Sequence, residues 1–212
     1  MAIKAVLFDF WGTLAENGTY SPTKGTLRIL RIPIDYKEFI VRFENAFFTK
    51  SYPTQEDAFR AVCDEFRVRP LPIVLSKMVG LWNKNKLFAR PYPETVEALA
   101  SLKERGLKLA VVSNTQKGAV EDVIAKHNLK QYFDAVVLSC EHGVLKQEGK
   151  LYDIALEQLG VSKDEAIVVG DSIETDLEGA KAAGIKGILI DRKGRREYPD
   201  KIATLNEVEN FL

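Results

Sequence analysis

Five short runs of apolar residues punctuate the chain, and none alternates strictly between apolar and polar positions. Such runs are typical of parallel strands that are buried on both faces. We therefore predict strands at residues 4–10, 107–113, 134–139, 166–170 and 186–191. Segments with helical spacing lie between these runs, around residues 95–102, 117–127, 150–159 and 174–183. This alternation predicts an α/β fold with a doubly wound parallel sheet and a Rossmann-like core.

The interval between the first two predicted strands is far longer than one crossover helix requires. A structureless loop of that length is implausible, and the interval carries three apolar stripes at helical spacing. The stripes are Phe39, Ile40, Phe43, Ala46 and Phe47; Ala58, Ala61, Val62 and Phe66; and Leu71, Leu75, Met78 and Trp82. We predict a small all-helical domain at residues 16–88, inserted into an α/β core domain formed by residues 1–15 and 89–212.

Composition narrows the range of partners. Hydrophobic residues make up 46% of the chain, and 30 Lys and Arg residues balance 30 Asp and Glu residues. Zero net charge gives no electrostatic reason to expect a nucleic acid or an anionic membrane surface, and we expect the basic segment 192–196 to be a solvated loop. No apolar stretch approaches the roughly 20 residues of a membrane span, and no signal peptide is apparent. We expect a soluble, cytoplasmic monomer or homodimer.

Polar residues that can carry chemistry stand at or just beyond the ends of the predicted strands. They are Asp9, Ser113, Asn114, Lys146, Asp171 and Asp176. Because the carboxyl ends of parallel strands meet at one edge of a sheet, we expect these side chains to converge there. Crowded carboxylates repel one another unless a cation lies between them, and oxygen ligands suit Mg²⁺. The hydroxyl, amide and ammonium groups are donors for an oxyanion such as phosphate.

The segments that contain these residues together resemble the four motifs of the haloacid dehalogenase superfamily. They are Phe8-Asp9-Phe10-Trp11-Gly12-Thr13-Leu14, Val111-Val112-Ser113-Asn114, Lys146 with the residues up to Tyr152, and Gly170-Asp171-Ser172-Ile173-Glu174-Thr175-Asp176. Each motif alone is only moderately specific, but four in the right order make a strong resemblance. The long helical insert is similar to the first type of cap domain in this family.

The resemblance implies a phosphatase that acts on small phosphorylated molecules through an aspartyl-phosphate. Asp9 is the expected nucleophile, and Ser113 and Lys146 are expected to hold the transferring oxygens. Mg²⁺ is the implied cofactor. Its implied ligands are Asp9, Asp171, Asp176 and the backbone carbonyl of Trp11. The expected substrate-binding residues are Trp11, Gly12, Thr13, Ser113, Asn114 and Lys146.

Two positions depart from the family pattern. Phosphatases of the family carry a second aspartate two residues after the nucleophile, where it protonates the leaving alcohol, and this chain has Trp11 there. The indole N–H is a donor that does not titrate in the useful range. Gln147 stands where the family usually has a proline after the motif lysine.

Three interpretations follow from Trp11. In the first, the protein is a phosphatase whose leaving group needs little protonation, or one that takes its acid from the cap or from water. Alternatively it is a metal-free 2-haloacid dehalogenase, a branch that has an aromatic residue at this position, or a non-catalytic descendant that binds a phosphorylated ligand or a protein. Asp171 favours phosphoryl chemistry, because the dehalogenase branch usually replaces that acid by serine or asparagine. The cap residues that we expect to reach the site are Arg42, Lys50, Asn83 and Lys84, whereas Trp82 is assigned to the cap core.

Overall fold

The computed structural model describes residues 2–16 and 21–212. Its centre is a six-stranded sheet in the order β3-β2-β1-β4-β5-β6, in which every neighbouring pair is parallel. The strands are β1 (Ala5–Phe8), β2 (Lys108–Ser113), β3 (Ala135–Leu138), β4 (Ala166–Gly170), β5 (Lys186–Ile190) and β6 (Lys201–Ile202). The predicted α/β fold with a doubly wound parallel sheet is confirmed; only the two-residue β6 was not expected.

Nine helices of the described chain surround or extend from the sheet. They are α1 (Pro22–Leu30), α2 (Tyr36–Phe48), α3 (Gln55–Glu65), α4 (Pro72–Phe88), α5 (Thr95–Glu104), α6 (Ala119–Lys126), the single turn α7 (Ser139–His142), α8 (Lys150–Leu159) and α9 (Glu178–Ala183). Short 3₁₀ segments lie at Lys130–Tyr132, Lys146–Glu148, Lys163–Glu165 and Leu205–Phe211, and a π-helical turn at Ile173–Leu177.

Both faces of the sheet are buried, which explains why the strands are continuous apolar runs. Successive side chains of a strand point to opposite faces. Val6 and Phe8 of β1 therefore pack with residues of α5 and α6 on one side. Ala5 and Leu7 pack with residues of α8 and α9 on the other. The chain leaves β1 at the centre of the sheet, between β2 and β4.

Helices α1 to α4 form a unit with an apolar core of its own. The rings of Phe39, Phe43, Phe47 and Phe59 are fully buried in it, and Trp82 packs against them. The assignment of Trp82 to this core is confirmed. Helix α3 begins after Thr54, whose hydroxyl accepts the backbone N–H of Asp57.

Two features of this unit differ from expectation. Helix α1 was not expected; it starts with Pro22 in the first turn, after Ser21, whose hydroxyl accepts the N–H of Lys24. Leu71 was expected in the apolar stripe of α4, but it is exposed because it precedes the helix as its N-cap.

The carboxyl end of α2 is fastened to the core domain by side chains. The last carbonyl groups of a helix have no partner within it. Gln116 donates to the carbonyl oxygens of Phe47 and Lys50, the latter at 2.8 Å. Ser139 Oγ donates to the carbonyl oxygen of Phe48 at 2.8 Å. Core side chains therefore supply the hydrogen bonds that the end of α2 lacks.

Backbone contacts join the helical unit and the core at a second place. The N–H of Glu16 donates to the carbonyl oxygen of Arg90 at 2.8 Å, and Ala15 forms a β-bridge with Pro91. Leu145, next to Lys146, is buried in the apolar core of the helical unit. Within residues 2–16 and 21–212, no helix combines the length and the apolar character that crossing a bilayer requires.

Candidate active site

Asp9 lies at the centre of the sheet edge, directly after β1. Its backbone N–H donates to the carbonyl oxygen of Val169 in β4 at 2.9 Å. The side chain is buried, and Lys146 Nζ donates to its Oδ1 at 2.6 Å. The other oxygen, Oδ2, has no hydrogen-bond partner among the described residues. Asp9 therefore presents a buried carboxylate with one oxygen held and one oxygen free.

Lys146 is buried between two carboxylates. Besides Asp9, its Nζ donates to Asp176 Oδ1 at 2.5 Å. Burial alone lowers the pKa of Lys146, but the charges of Asp176 and Asp9 outweigh it and hold that pKa well above its usual value. Burial raises the pKa of Asp9 to about 7, against the opposing charge of Lys146. Lys146 is thus a permanent cation at the centre of the site.

Asp171 and Asp176 come from the segment after β4. Asp176 Oδ2 accepts the backbone N–H of Ser172 at 3.0 Å, which fixes the turn between them. Burial, followed by the charge of Asp176, raises the pKa of Asp171 to about 6. Asp9, Asp171 and Asp176 each offer a carboxylate oxygen, and these oxygens lie within 4.8 Å of one another. This is an oxygen-rich donor set of the kind that suits a divalent cation.

Gly12 allows the turn after Asp9 to approach Asp171. Its φ is +87°, and a Cβ atom there would collide with the Asp171 carboxylate. The N–H of Gly12 donates to the carbonyl oxygen of Ala15 at 2.7 Å. Gly12 therefore contributes space to the site, and its N–H closes the turn instead of facing a substrate.

Two hydroxyl groups complete the inner site. Ser113 ends β2 and Thr13 lies in the turn after β1, and both side chains are buried. Neither hydroxyl finds a hydrogen-bond partner in the part of the chain that the structure describes. Asn114 differs, because its amide is already used by the loop that carries Lys146. Its Oδ1 accepts the Lys146 N–H at 2.9 Å and its Nδ2 donates to Gln147 Oε1 at 3.0 Å.

Trp11 faces a cleft between the core and the helical unit. The cleft has a volume of about 460 Å³, and Asn114, Trp82 and Asn83 also line it. The Trp11 ring packs edge-on against Phe10, with the ring centroids 5.0 Å apart. Trp11 and Asn114 are therefore the residues of the predicted site that form part of the wall of this cleft.

Of the four cap residues expected to reach the site, only Asn83 lines this cleft. The expectation is wrong for Arg42, whose Nε donates to Glu65 Oε1 at 2.7 Å on the far side of α2. Lys50 and Lys84 are exposed side chains outside the cleft. Long charged side chains keep their charged ends in water, where they are better solvated than in the lining of a cleft.

The structure adds Glu44, a residue of α2 that the sequence analysis missed. Its carboxylate lines the cleft, and Oε2 accepts from Gln147 Nε2 at 3.1 Å. Burial raises the pKa of Glu44, while the hydrogen bond from Gln147 and the charge of Lys146 oppose the rise. Glu44 shares its helix face with Ile40 and Phe48, four residues away on each side. A charged residue within an apolar stripe is the signal that points to it.

The basic segment after β5 also belongs to the rim of the site and is only partly a solvated loop. Arg192 pairs with Glu94 at 2.5 Å and donates to the carbonyl oxygen of Thr13 at 2.8 Å. Arg196 donates to the backbone carbonyl oxygen of Asp171. Both arginines line a second cleft of about 600 Å³ on the Gly12 side of the turn.

Known proteins similar to this chain include phosphatases. Phosphoserine phosphatase from Thermus thermophilus is 34% identical over 122 residues, which cover 55% of this chain and 49% of that protein, about half its length. Glyceraldehyde 3-phosphate phosphatase from Methanopyrus kandleri is 28% identical over 201 residues, which cover 91% of this chain and 85% of that protein.

Solved structures of similar fold come from phosphatases and dehalogenases. A haloacid dehalogenase-type phosphatase from Thermococcus onnurineus superimposes with a TM-score of 0.67 at 26% identity, over 99% of this chain and 97% of that one. L-2-haloacid dehalogenase from Xanthobacter autotrophicus gives 0.70 at 22% identity, over 99% and 98%, which establishes the shared fold alone. The sequence profile of the haloacid dehalogenase-like hydrolases matches residues 3–184. The chain belongs to this family of hydrolases, as its four motifs predict.

Proposed function

We propose that the protein is a magnesium-dependent phosphatase that hydrolyses small phosphorylated molecules through an aspartyl-phosphate on Asp9. The observation that carries the proposal is the buried Asp9 carboxylate, with Oδ1 bound by Lys146 and Oδ2 free of hydrogen bonds in the described structure. A carboxylate nucleophile needs an oxygen whose lone pairs are available, and a neighbouring cation that draws the anionic ester toward it. The two phosphatases among the relatives support the same reaction class.

The reaction has two displacements at phosphorus. In the first, Asp9 Oδ2 attacks the phosphorus atom, and the bond to the alcohol oxygen breaks. In the second, water attacks the same phosphorus atom and the bond to Asp9 breaks, which releases phosphate and restores the carboxylate. Lys146 and the unpartnered hydroxyls of Ser113 and Thr13 are the donors for the phosphoryl oxygens.

The donor set fits Mg²⁺. The carboxylates of Asp9, Asp171 and Asp176, with the backbone carbonyl of Trp11, are the groups that would hold the ion. When bound, Mg²⁺ supplies positive charge that neutralises the phosphoryl oxygens. The raised pKa values of Asp9 and Asp171 support the fit, because a divalent cation offsets the burial and repulsion that raise them.

Trp11 is the observation that favours a second candidate, a 2-haloacid dehalogenase. Such an enzyme forms its ester to carbon and releases a halide, which needs no proton. The three clustered carboxylates favour the phosphatase, because a metal-free reaction gains nothing from burying Asp171 beside Asp9 and Asp176. A non-catalytic protein that binds a phosphorylated ligand is the third candidate.

The helical unit fits the role of a cap. We propose residues 16–88 as this domain, which covers the sheet edge and leaves the cleft beside Trp11 as the space for the substrate alcohol. Asn83 and Trp82 from the unit and Asn114 from the core line that space. Substrate choice therefore depends on residues of α2 and α4 that face it.

Hydrolysis of p-nitrophenyl phosphate tests the proposal, because its activated leaving group needs no acid. Wild-type protein is assayed with Mg²⁺ and with EDTA, beside Asp9→Asn and the matched control Asp153→Asn, which changes an exposed carboxylate of α8. We expect turnover only with Mg²⁺, a loss on the order of 10⁴-fold or more in Asp9→Asn, and no change in the control. Absence of turnover with any metal overturns the proposal, and chloride release from 2-chloropropionate then separates the other two candidates.

A further inference from the structure

An ordinary phosphate ester releases an alkoxide, which leaves slowly unless an acid protonates it as the bond breaks. The residues of the inner site have other tasks. Lys146 is held by two carboxylates, and Asp9, Asp171 and Asp176 form the cation site proposed above. The indole of Trp11 does not titrate in the useful range. The remaining sources of the proton are water and the wall of the cleft, and a carboxylic acid in that wall is suited to transfer it.

One carboxylate lines that cleft within residues 2–16 and 21–212, and it is Glu44. The two lysines that share the cleft wall are paired elsewhere. Lys86 Nζ lies 2.7 Å from Asp122 Oδ2, and Lys117 Nζ lies 3.5 Å from Glu141 Oε1. Glu44 forms no ion pair with the described residues, and the charge of Lys146 acts on it without direct contact.

Hydrogen bonds connect Glu44 to the nucleophile. Gln147 Nε2 donates to Glu44 Oε2 at 3.1 Å, and Gln147 Oε1 accepts from Asn114 Nδ2 at 3.0 Å. Asn114 Oδ1 accepts the backbone N–H of Lys146 at 2.9 Å. The Lys146 ammonium in turn donates to Asp9 Oδ1 at 2.6 Å. Gln147 replaces the proline usual in the family, and a proline side chain has no amide to hold a carboxylate. The same loop thus fixes Lys146 beside the nucleophile and Glu44 beside the cleft.

We propose that Glu44 is the general acid and base of this enzyme, supplied by the helical unit. This rests on the proposed phosphatase function. In the first displacement the Glu44 carboxyl proton passes to the alcohol oxygen as its bond to phosphorus breaks, and Glu44 becomes a carboxylate. In the second, Glu44 takes a proton from water as the water oxygen bonds to phosphorus. The electron pair of the breaking acyl-phosphate bond returns to Asp9, and Glu44 is protonated again.

The surroundings of Glu44 suit both halves of this cycle. Burial raises its pKa and so favours the protonated form that the first step needs, and the charge of Asp176 acts in the same direction. The charge of Lys146 and the hydrogen bond from Gln147 favour the carboxylate that the second step needs. A group that is balanced between its two forms is suited to giving and taking a proton.

Glu44→Gln tests the inference on two esters that differ only in their leaving group, p-nitrophenyl phosphate and phenyl phosphate. Glu38→Gln, an exposed carboxylate on the same helix, is the matched control. Phenol has a pKa near that of a tyrosine side chain, about 10, so its departure benefits from an acid. We expect kcat/KM to fall about 10²-fold for phenyl phosphate and to change little for p-nitrophenyl phosphate.

The second displacement gives an independent signature. Without a base, the aspartyl-phosphate of Glu44→Gln accumulates, and p-nitrophenolate appears as a rapid burst of one equivalent before a slow steady state. Equal losses of kcat/KM on both esters, or wild-type kinetics on both, overturn the role of Glu44 while leaving the phosphatase intact. A wild-type protein that hydrolyses neither ester overturns the proposed function and this inference with it.

Discussion

The chain contains two tightly buried clusters of opposite chemistry. In the helical unit, rings such as Phe43 and Phe47 stack with centroids 5.0 Å apart. At the sheet edge, Lys146 is held between Asp9 and Asp176, with all three side chains less than a tenth exposed. The phenylalanine rings need no hydrogen bonds, whereas the charged cluster leaves Asp9 Oδ2 without one in the described chain.

The two clusters contribute differently to the free energy of folding. Burying a phenylalanine side chain stabilises a fold by roughly 1.5–3 kcal/mol, whereas burying an ion costs several kcal/mol that its partner returns only in part. The raised pKa values of Asp9 and Asp171 reflect that cost. The aromatic cluster thus stabilises the fold, whereas the charged cluster costs folding free energy and serves to bind a ligand.

The largest change in stability should come from breaking the aromatic cluster. Phe43 is fully buried and contacts four other aromatic rings, those of Phe39, Phe47, Phe48 and Trp82. Phe43→Ala should lower the free energy of unfolding by about 3–5 kcal/mol through lost contacts and a cavity, measured by urea denaturation. Val41→Ala, at an exposed position of the same helix, is the control. A loss below about 1 kcal/mol would mean that the rings repack freely.

The charged cluster should respond in the opposite direction. Because the pKa of Asp171 is raised from 3.8 to about 6, its ionisation opposes folding above pH 6 and has no effect below pH 4. Asp171→Asn should therefore raise the free energy of unfolding in EDTA by about 1–3 kcal/mol at pH 8, with the gain vanishing as the pH falls from 6 to 4. Equal effects at pH 4 and pH 8 would contradict this.

Asp171 should also affect how strongly Mg²⁺ stabilises the protein. Added Mg²⁺ should raise the unfolding midpoint of the wild-type protein, because a ligand that binds only the folded state stabilises it. The Asp171→Asn variant should show a smaller rise. Asp153→Asn, which alters an exposed carboxylate, should match the wild type in both measurements.

The smallest effect belongs to an exposed hydrogen bond of the helical unit. The Thr54 hydroxyl caps α3 by accepting the N–H of Asp57 at 3.1 Å. Thr54→Ala should cost about 1 kcal/mol of stability in urea denaturation, well below the loss in Phe43→Ala. Thr54→Ser keeps the cap and should restore most of the loss. A loss of stability as large as that of Phe43→Ala would contradict the claim that buried rings stabilise the unit more than an exposed hydrogen bond does.

The sheet and the inner site could be predicted because each strand is an apolar run that ends in a polar residue. Asp9, Ser113 and Asp171 stand at such ends, and strand geometry alone brings them to one edge. The role of Asn114 could not be predicted, since an amide at a strand end serves a ligand or a loop equally well. Only the positions of Lys146 and Gln147 show that it holds the loop.

The site residues of the helical unit were harder to predict, because no common structural position, such as the end of a strand, identifies them. Arg42 looks suited to a site, but Glu65 from α3 holds it at the surface of the unit. Glu44 is marked in the sequence only as a charged residue between Ile40 and Phe48, and its contact with the loop after Lys146 appears only in the folded chain. Which face of a cap helix meets the core depends on packing between distant segments, and periodicity within one helix does not contain that information.

The hydrogen bonds that fasten the end of α2 determine how this molecule can open. Any rotation of the helical unit that preserves the bonds from Gln116 and Ser139 has its axis close to Phe47 and Phe48. At 1.5 Å per residue, Glu44 lies only about 5 Å along the helix from that axis, on a short lever arm. In such a rotation the distant helices would move farther than Glu44. A rotation of this kind would widen the cleft with little displacement of Glu44.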